Sequence, residues 1–133
     1  MIKELLDCKW TPILSNYSKL VVGFSGGLDS TVLLHALHQI DCLKDRLLAV
    51  HVNHQISSNA DAWQQHCDMQ CQKLGITFQA YRLEGGGWSS NIEEEARNAR
   101  YAIFDALLLP EDCLLVAHHQ DDQAETLLLN LLR

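Results

Sequence analysis

Between Leu20 and Thr31 an apolar run, a tight turn and a helix opening follow one another directly, and the rest of the chain has to be arranged around them. Leu20-Val21-Val22-Gly23-Phe24 reads as a buried strand. Ser25-Gly26-Gly27 is a turn, and Asp29 and Ser30 then open an amphipathic helix with Val32, Leu33, Ala36, Leu37 and Ile40 on one face. A helix start carries unpaired N–H groups and partial positive charge, so it suits an anion. Gly26 and Gly27 have no Cβ, so an anion can come close to the backbone. The hydroxyls of Ser25 and Ser30 add donors, and a phosphate is the ligand such a loop fits.

Two common phosphate loops are excluded. A Walker A loop needs a lysine after its last glycine, and no lysine lies between Lys19 and Lys44. The G-x-G-x-x-G pattern of dinucleotide folds is also absent. What stands here is S-G-G-x-D-S, over Ser25 to Ser30. It resembles the pyrophosphate loop of the N-type ATP pyrophosphatases, which cleave ATP between the α- and β-phosphates and transfer AMP to a substrate oxygen. The resemblance implies that Ser25, Gly26, Gly27, Leu28, Asp29 and Ser30 bind ATP, with the pyrophosphate in the loop.

The 133 residues suffice for one domain with a real core. No run of apolar residues is long enough for a membrane span, and the first residues lack the apolar segment of a signal peptide. Five cysteines without framework spacing fit a reducing cytoplasm. A net charge of −7 disfavours tight binding of a polyanion by this stretch alone.

Residues 1–19 read as a lead-in interrupted by Pro12, and 20–133 as the functional domain. After the first helix, Arg46 to Val52 is a second buried strand. Asn59 or Asp61 caps a helix running to Leu74, with Trp63, Cys67, Cys71 (or Gln70) and Leu74 inward and Gly75 ending it. Ile76 to Leu83 alternates as an edge strand does. A glycine run at 85–87 precedes a helix from Ile92 to about Leu108, whose core stripe is Ile92, Ala96, Ala99, Ile103 and Leu107. Cys113 to Ala117 is a fourth buried strand, and Asp121 or Asp122 starts a last helix to the C-terminus. Alternation of strands and helices predicts an α/β, doubly wound parallel sheet, in the order 3-2-1-4. Its ligand crevice should lie where the order reverses, at the carboxyl ends of strands 1 and 4. The loop resemblance implies the same architecture, an adenine-nucleotide alpha-hydrolase-like fold.

Three other segments carry candidate chemistry. His51-Val52-Asn53-His54 ends strand 2, and Asn53 and His54 are read as lining the nucleotide crevice. A zinc site shared with Cys67 and Cys71 is disfavoured, because those cysteines fall on a core stripe and no zinc-type spacing is present. His118-His119-Gln120-Asp121-Asp122-Gln123-Ala124-Glu125 packs more ionisable groups at a strand end than a helix cap requires. Its carboxylates suit Mg²⁺ beside a triphosphate, or the ammonium of an amine substrate. Glu93 and Arg97 are spaced as a helical ion pair, with Arg100 and Tyr101 one turn on.

Taken together, SGGLDSTVLLH, NIEEEARNARY and VAHHQDDQAET are similar to the tRNA(Ile)-lysidine synthetases, from about Leu20 to Arg133. In that family, ATP adenylates C2–O of the wobble cytidine of a tRNA(Ile) with CAU anticodon. Free lysine then displaces AMP from C2 to give lysidine. The resemblance implies Asp29, Asp121, Asp122, His118 and Arg97 as catalytic residues, with Asp29 and Asp122 toward Mg²⁺. It implies tRNA(Ile) and lysine as partners and a cytoplasmic ligase. Relatives with the same loop thiolate tRNA or make GMP, NAD or asparagine. Here no C-x-x-C is present and Leu28 stands where some of them carry lysine, which favours an amine over sulfur. A non-catalytic module sensing ATP or AMP is the alternative of another class. The family's proteins are much longer, so the domain reads as incomplete at its C-terminal end. The leucines of 127–132 ask for further protein or a second copy, a possible homodimer.

Overall fold

A computed structural model describes residues 10–54, 58–83, 92–119 and 127–131. The elements are α1 (Thr11–Leu14), β1 (Lys19–Gly23), α2 (Leu28–His38), α3 (Asp41–Lys44), β2 (Leu47–Asn53), α4 (Ala60–Leu74), β3 (Thr77–Arg82), α5 (Ile92–Leu107), β4 (Asp112–His119) and β5 (Leu127–Leu131). One sheet runs in the order β3-β2-β1-β4-β5. Its first four strands are parallel, in the expected order 3-2-1-4.

The continuous apolar strands divide their side chains between two cores, because successive residues point to opposite faces. Leu20, Val22, Leu47, Ala49, Cys113 and Leu115 meet α2 and α4 on one face. Val21, Leu48, Val50, Val52, Leu114 and Val116 meet α5 on the other. β3 alternates exposed and half-buried residues, as its place at the sheet edge requires.

Two details differ from the sequence reading. The second half of the α5 stripe is turned by one residue: Ala96 is buried as expected, but Phe104 and Leu108 follow it into the core, while Ile103 and Leu107 pack half-buried beside them. Phe104 is the largest apolar surface on the helix and takes the deepest place. The second correction concerns the last segment. Residues 127–131 are a strand antiparallel to β4, from Leu115 opposite Leu131 to His119 opposite Leu127, where a helix was predicted. A short leucine run has no periodicity that separates helix from strand, and the open edge of β4 offers it hydrogen-bond partners.

The ends of α4 behave as the sequence demands. Gly75 has φ +73°, and the Ile76 and Gly75 N–H groups donate back to Cys71 and Gln72 oxygens at 2.9 and 3.2 Å. This left-handed cap turns the chain straight into β3 and buries Ile76. In the lead-in, Pro12 sits in the first turn of α1 and Leu14 is fully buried. The Arg46 guanidinium ties the lead-in down by donating to the Ser15 and Tyr17 carbonyls at 2.7 and 3.0 Å. Among the described residues no helix is long and apolar enough to cross a membrane.

Candidate functional site

The loop leaves β1 at Gly23, and the Phe24 N–H still donates to Val50 O at 2.8 Å. Gly26 then takes φ +84°, a conformation that favours glycine, and Gly27 is extended as the N-cap of α2. The two glycines differ in what surrounds them. A Cβ on Gly26 would fall 2.6 Å from Cys67 Sγ and 2.9 Å from Trp63 Nε1. A Cβ on Gly27 would meet only Ser25 Oγ, at 3.4 Å, and otherwise project into open space. Gly26 is therefore required by packing, whereas the space beside Gly27 is open.

The serines hold the loop closed. The Ser25 and Gly27 N–H groups donate to Ser30 Oγ and Ser25 Oγ, each at 3.2 Å. The two hydroxyls lie 3.0 Å apart, and the Ser30 hydroxyl donates to Gly27 O at 3.3 Å. One set of protons satisfies all four bonds, with Ser25 O–H donating to Ser30. Asp29 lies in the first turn of α2, half-buried, and Leu28 is 79% exposed at the lip of the loop.

A cleft of about 630 Å³ opens beside this loop, at the carboxyl ends of β1, β2 and β4. This is the reversal point of the strand order, where ligands of open α/β sheets bind. One wall is polar: Ser25, Ser30, His51, Asn53 and His54. The other is apolar, with Phe104 and Val116. Arg100 reaches the cleft from α5. Its guanidinium carbon lies 5.6 Å from the Tyr101 ring centre, and its buried Nε has no hydrogen-bond partner among the described residues.

Two histidines in the cleft are held neutral. His51 is buried, which lowers its pKa from the usual 6.5, and its hydrogen bond to the Phe24 carbonyl opposes this only in part. A carbonyl can only accept, so the Nδ1 that lies 2.9 Å from Phe24 O carries the proton and Nε2 keeps its lone pair. His54 is lowered by burial first, then by the positive charge of Arg100 and the neighbouring His51. Asn53 is buried, and its amide donates to Asp61 and Gln64 of α4 at 2.9 and 3.0 Å. Arg82 of β3 pairs with the same Asp61 at 3.3 Å, on the exposed side of β3 and α4.

The structure thus brings Ser25, Ser30, Asn53 and His54 to one cleft, with Gly26, Gly27, Leu28 and Asp29 in the adjoining loop. His118 belongs to the carboxyl end of β4, opposite Leu128. Arg97 is not brought in: it is exposed, and Arg100 lines the cleft instead. Asp121 and Asp122 lie outside the described residues. Cys67 and Cys71 are buried in the core, where burial pushes their thiols up to about 11 and about 12, so they remain protonated. Trp63 was read as core from its spacing. It is 44% exposed at the cleft, and its indole N–H donates to Ser25 O at 2.7 Å. The signal for Arg100 was present in the sequence, four residues from both Ala96 and Phe104, once Phe104 is taken as the anchor of its helix.

A glycine-bearing turn between the first strand of a parallel sheet and a helix N-terminus, opening on the reversal point, belongs to the nucleotide-binding α/β domains. The PP-loop domain family matches residues 2–133, and the chain belongs to this family of ATP-binding domains. Among curated relatives, it is 54% identical over 133 residues to tRNA(Ile)-lysidine synthase of Legionella pneumophila strain Paris, covering 100% of this chain and 31% of that protein. It is 50% identical over 114 residues to tRNA(Ile)-lysidine synthase of Pseudomonas syringae pv. tomato, covering 84% and 25%. The chain therefore spans under a third of the length of these relatives. Among solved structures, it is similar in fold to the U34-tRNA thiolase NcsA of Methanococcus maripaludis, determined with its [4Fe-4S] cluster. There the TM-score is 0.70 at 23% identity, over 84% of this chain and 41% of that one.

Proposed function

We propose that this chain is the ATP-binding, substrate-activating part of a tRNA(Ile)-lysidine synthase, a ligase joining free lysine to C2 of the wobble cytidine. The observation that carries this is the loop and cleft at the strand reversal, in a chain 54% identical along its whole length to a relative of that name.

In this reading ATP lies across the carboxyl ends of β1 and β2, with its pyrophosphate in the loop of Ser25 to Ser30. The first-turn N–H groups of α2 and the space beside Gly27 favour that anion. Asn53 and His54 line the nucleotide side, and neutral His54 leaves Arg100 as the cation facing the phosphates. Asp29 offers hard oxygen ligands at the loop, which fits Mg²⁺, and Asp122 is the second proposed ligand. The ion would supply charge neutralisation on the departing pyrophosphate. Asp121 or Asp122 would hold the lysine ammonium or help remove its proton, with His118 a further catalytic residue. Arg97, on the exposed face of α5, suits a contact to RNA phosphate better than one inside the cleft. No side-chain nucleophile is needed, since the site orients two substrates and excludes water. The partners are tRNA(Ile) and free lysine, and the compartment is the cytoplasm.

The test is a chimera in which residues 1–133 replace the matching segment of the Legionella protein. Incubated with ATP, Mg²⁺, lysine and tRNA(Ile), it should form lysidine, as nucleoside analysis would show. A folded chimera that binds ATP but forms none would contradict the reading.

A further inference from the structure

We propose that Trp63 is a positioning residue of the phosphate loop: its indole N–H holds the Ser25 carbonyl toward α4 and so aims the Gly26 N–H at the bound pyrophosphate. This rests on the ATP reading above.

Trp63 does not act as a core residue. It is 44% exposed, stands at the cleft and stacks on His66 with ring centres 4.8 Å apart. Its single polar atom is nevertheless committed, at 2.7 Å, to Ser25 O in the middle of the loop. A trans peptide is planar, with its C=O and N–H pointing in opposite directions. The peptide between Ser25 and Gly26 is trans, so an oxygen drawn toward α4 turns the Gly26 N–H away from α4. Gly26 takes a φ of +84°, and the Gly27 N–H is already given to Ser25 Oγ at 3.2 Å, so the Gly26 N–H is the loop donor that this orientation governs. The contact is close as well as polar. A Cβ on Gly26 would lie 2.9 Å from the indole nitrogen and 3.0 Å from Cε2, so the indole is the surface on which this turn rests. In the first turn of α4, four residues before Cys67, the side chain is carried by the same helix that holds the buried thiol beneath Gly26.

The test separates the loop from the rest of the cleft. Trp63→Phe keeps an aromatic ring and removes the donor. Inorganic pyrophosphate and AMP are titrated separately into both proteins by calorimetry, with thermal melts in parallel. Loss of one loop hydrogen bond should weaken pyrophosphate binding about 3- to 10-fold, with AMP binding and the melt little changed. Equal pyrophosphate affinity in the two proteins would overturn the proposal. So would a common fall in both ligands together with the melt, the mark of a packing role alone. If the unsubstituted chain bound neither ATP nor pyrophosphate, the ATP reading itself would fall, a result the variant plays no part in.

Discussion

The Nδ1–H of His51 donates to the carbonyl oxygen of Phe24 at 2.9 Å, so a buried side chain of β2 is bonded to the backbone just where the loop leaves β1. The bond fixes the tautomer and ties the floor of the cleft to the root of the loop. It also makes the protonation state of the cleft part of the fold.

That link has a pH dependence of known sign. Both His51 and His54 have folded-state pKa values below the usual 6.5. As pH falls through about 6.5 the unfolded chain takes up protons that the folded chain refuses, so stability is lost on the acid side and is level above it. The melting temperature should therefore fall between about pH 7 and about pH 5.5. His51→Gln, which keeps an N–H donor, should reduce that fall. A wild-type melting temperature that rises toward acid pH would show that the histidines are not held neutral.

The two loop glycines should separate in stability. Gly26→Ala places a methyl 2.6 Å from Cys67 Sγ at a φ of +84°, and should cost about 2–4 kcal/mol in urea unfolding. Removing the thiol as well, in Gly26→Ala with Cys67→Ala, should recover part of that loss relative to the sum of the single changes. Simple additivity of the two would mean that the thiol and the glycine are not in contact.

Phe104 anchors the face of the sheet opposite α2. Buried to 1% exposure and 3.2 Å from where a Cβ on Gly23 would lie, it joins α5 to the end of β1. Phe104→Ala should cost about 3–5 kcal/mol. Ile103→Ala, at a half-buried position, should cost clearly less. Equal losses in denaturant melts would restore the stripe read from spacing alone.

Much of this was legible because buried parallel strands announce themselves as apolar runs, and β1, β2 and β4 each carry one, in residues 20–22, 47–50 and 113–117. The loop was legible because glycine and hydroxyl residues at a strand-to-helix turn have few other uses. The stripe of α5 was right at Ala96 and off by one position in its second half, since Ile103 and Phe104 are adjacent on a helix with two apolar rows and only the depth of the groove chooses between them. Arg97 and Arg100 were both singled out, and the catalytic role went to Arg97; the choice of Phe104 as anchor puts Arg100 at the cleft. Trp63 could not be read at all. Its spacing matches a core residue, and what distinguishes it is a bond to a main-chain oxygen 38 residues away, on which sequence is silent. Residues 127–131 were apolar enough for either element, and pairing with β4 decided between them.

The central claim is that the loop from Ser25 to Ser30 receives the phosphates of ATP, and Gly27 gives the most direct measurement of it. Gly27→Val adds side-chain atoms to a position open except for Ser25 Oγ at 3.4 Å, at an extended φ of −73° that valine adopts. Calorimetric titration of ATP should give a binding isotherm for the unsubstituted chain and no heat beyond dilution for the variant, with stability changed by no more than about 1 kcal/mol. Equal ATP affinity in a folded Gly27→Val chain would contradict the account.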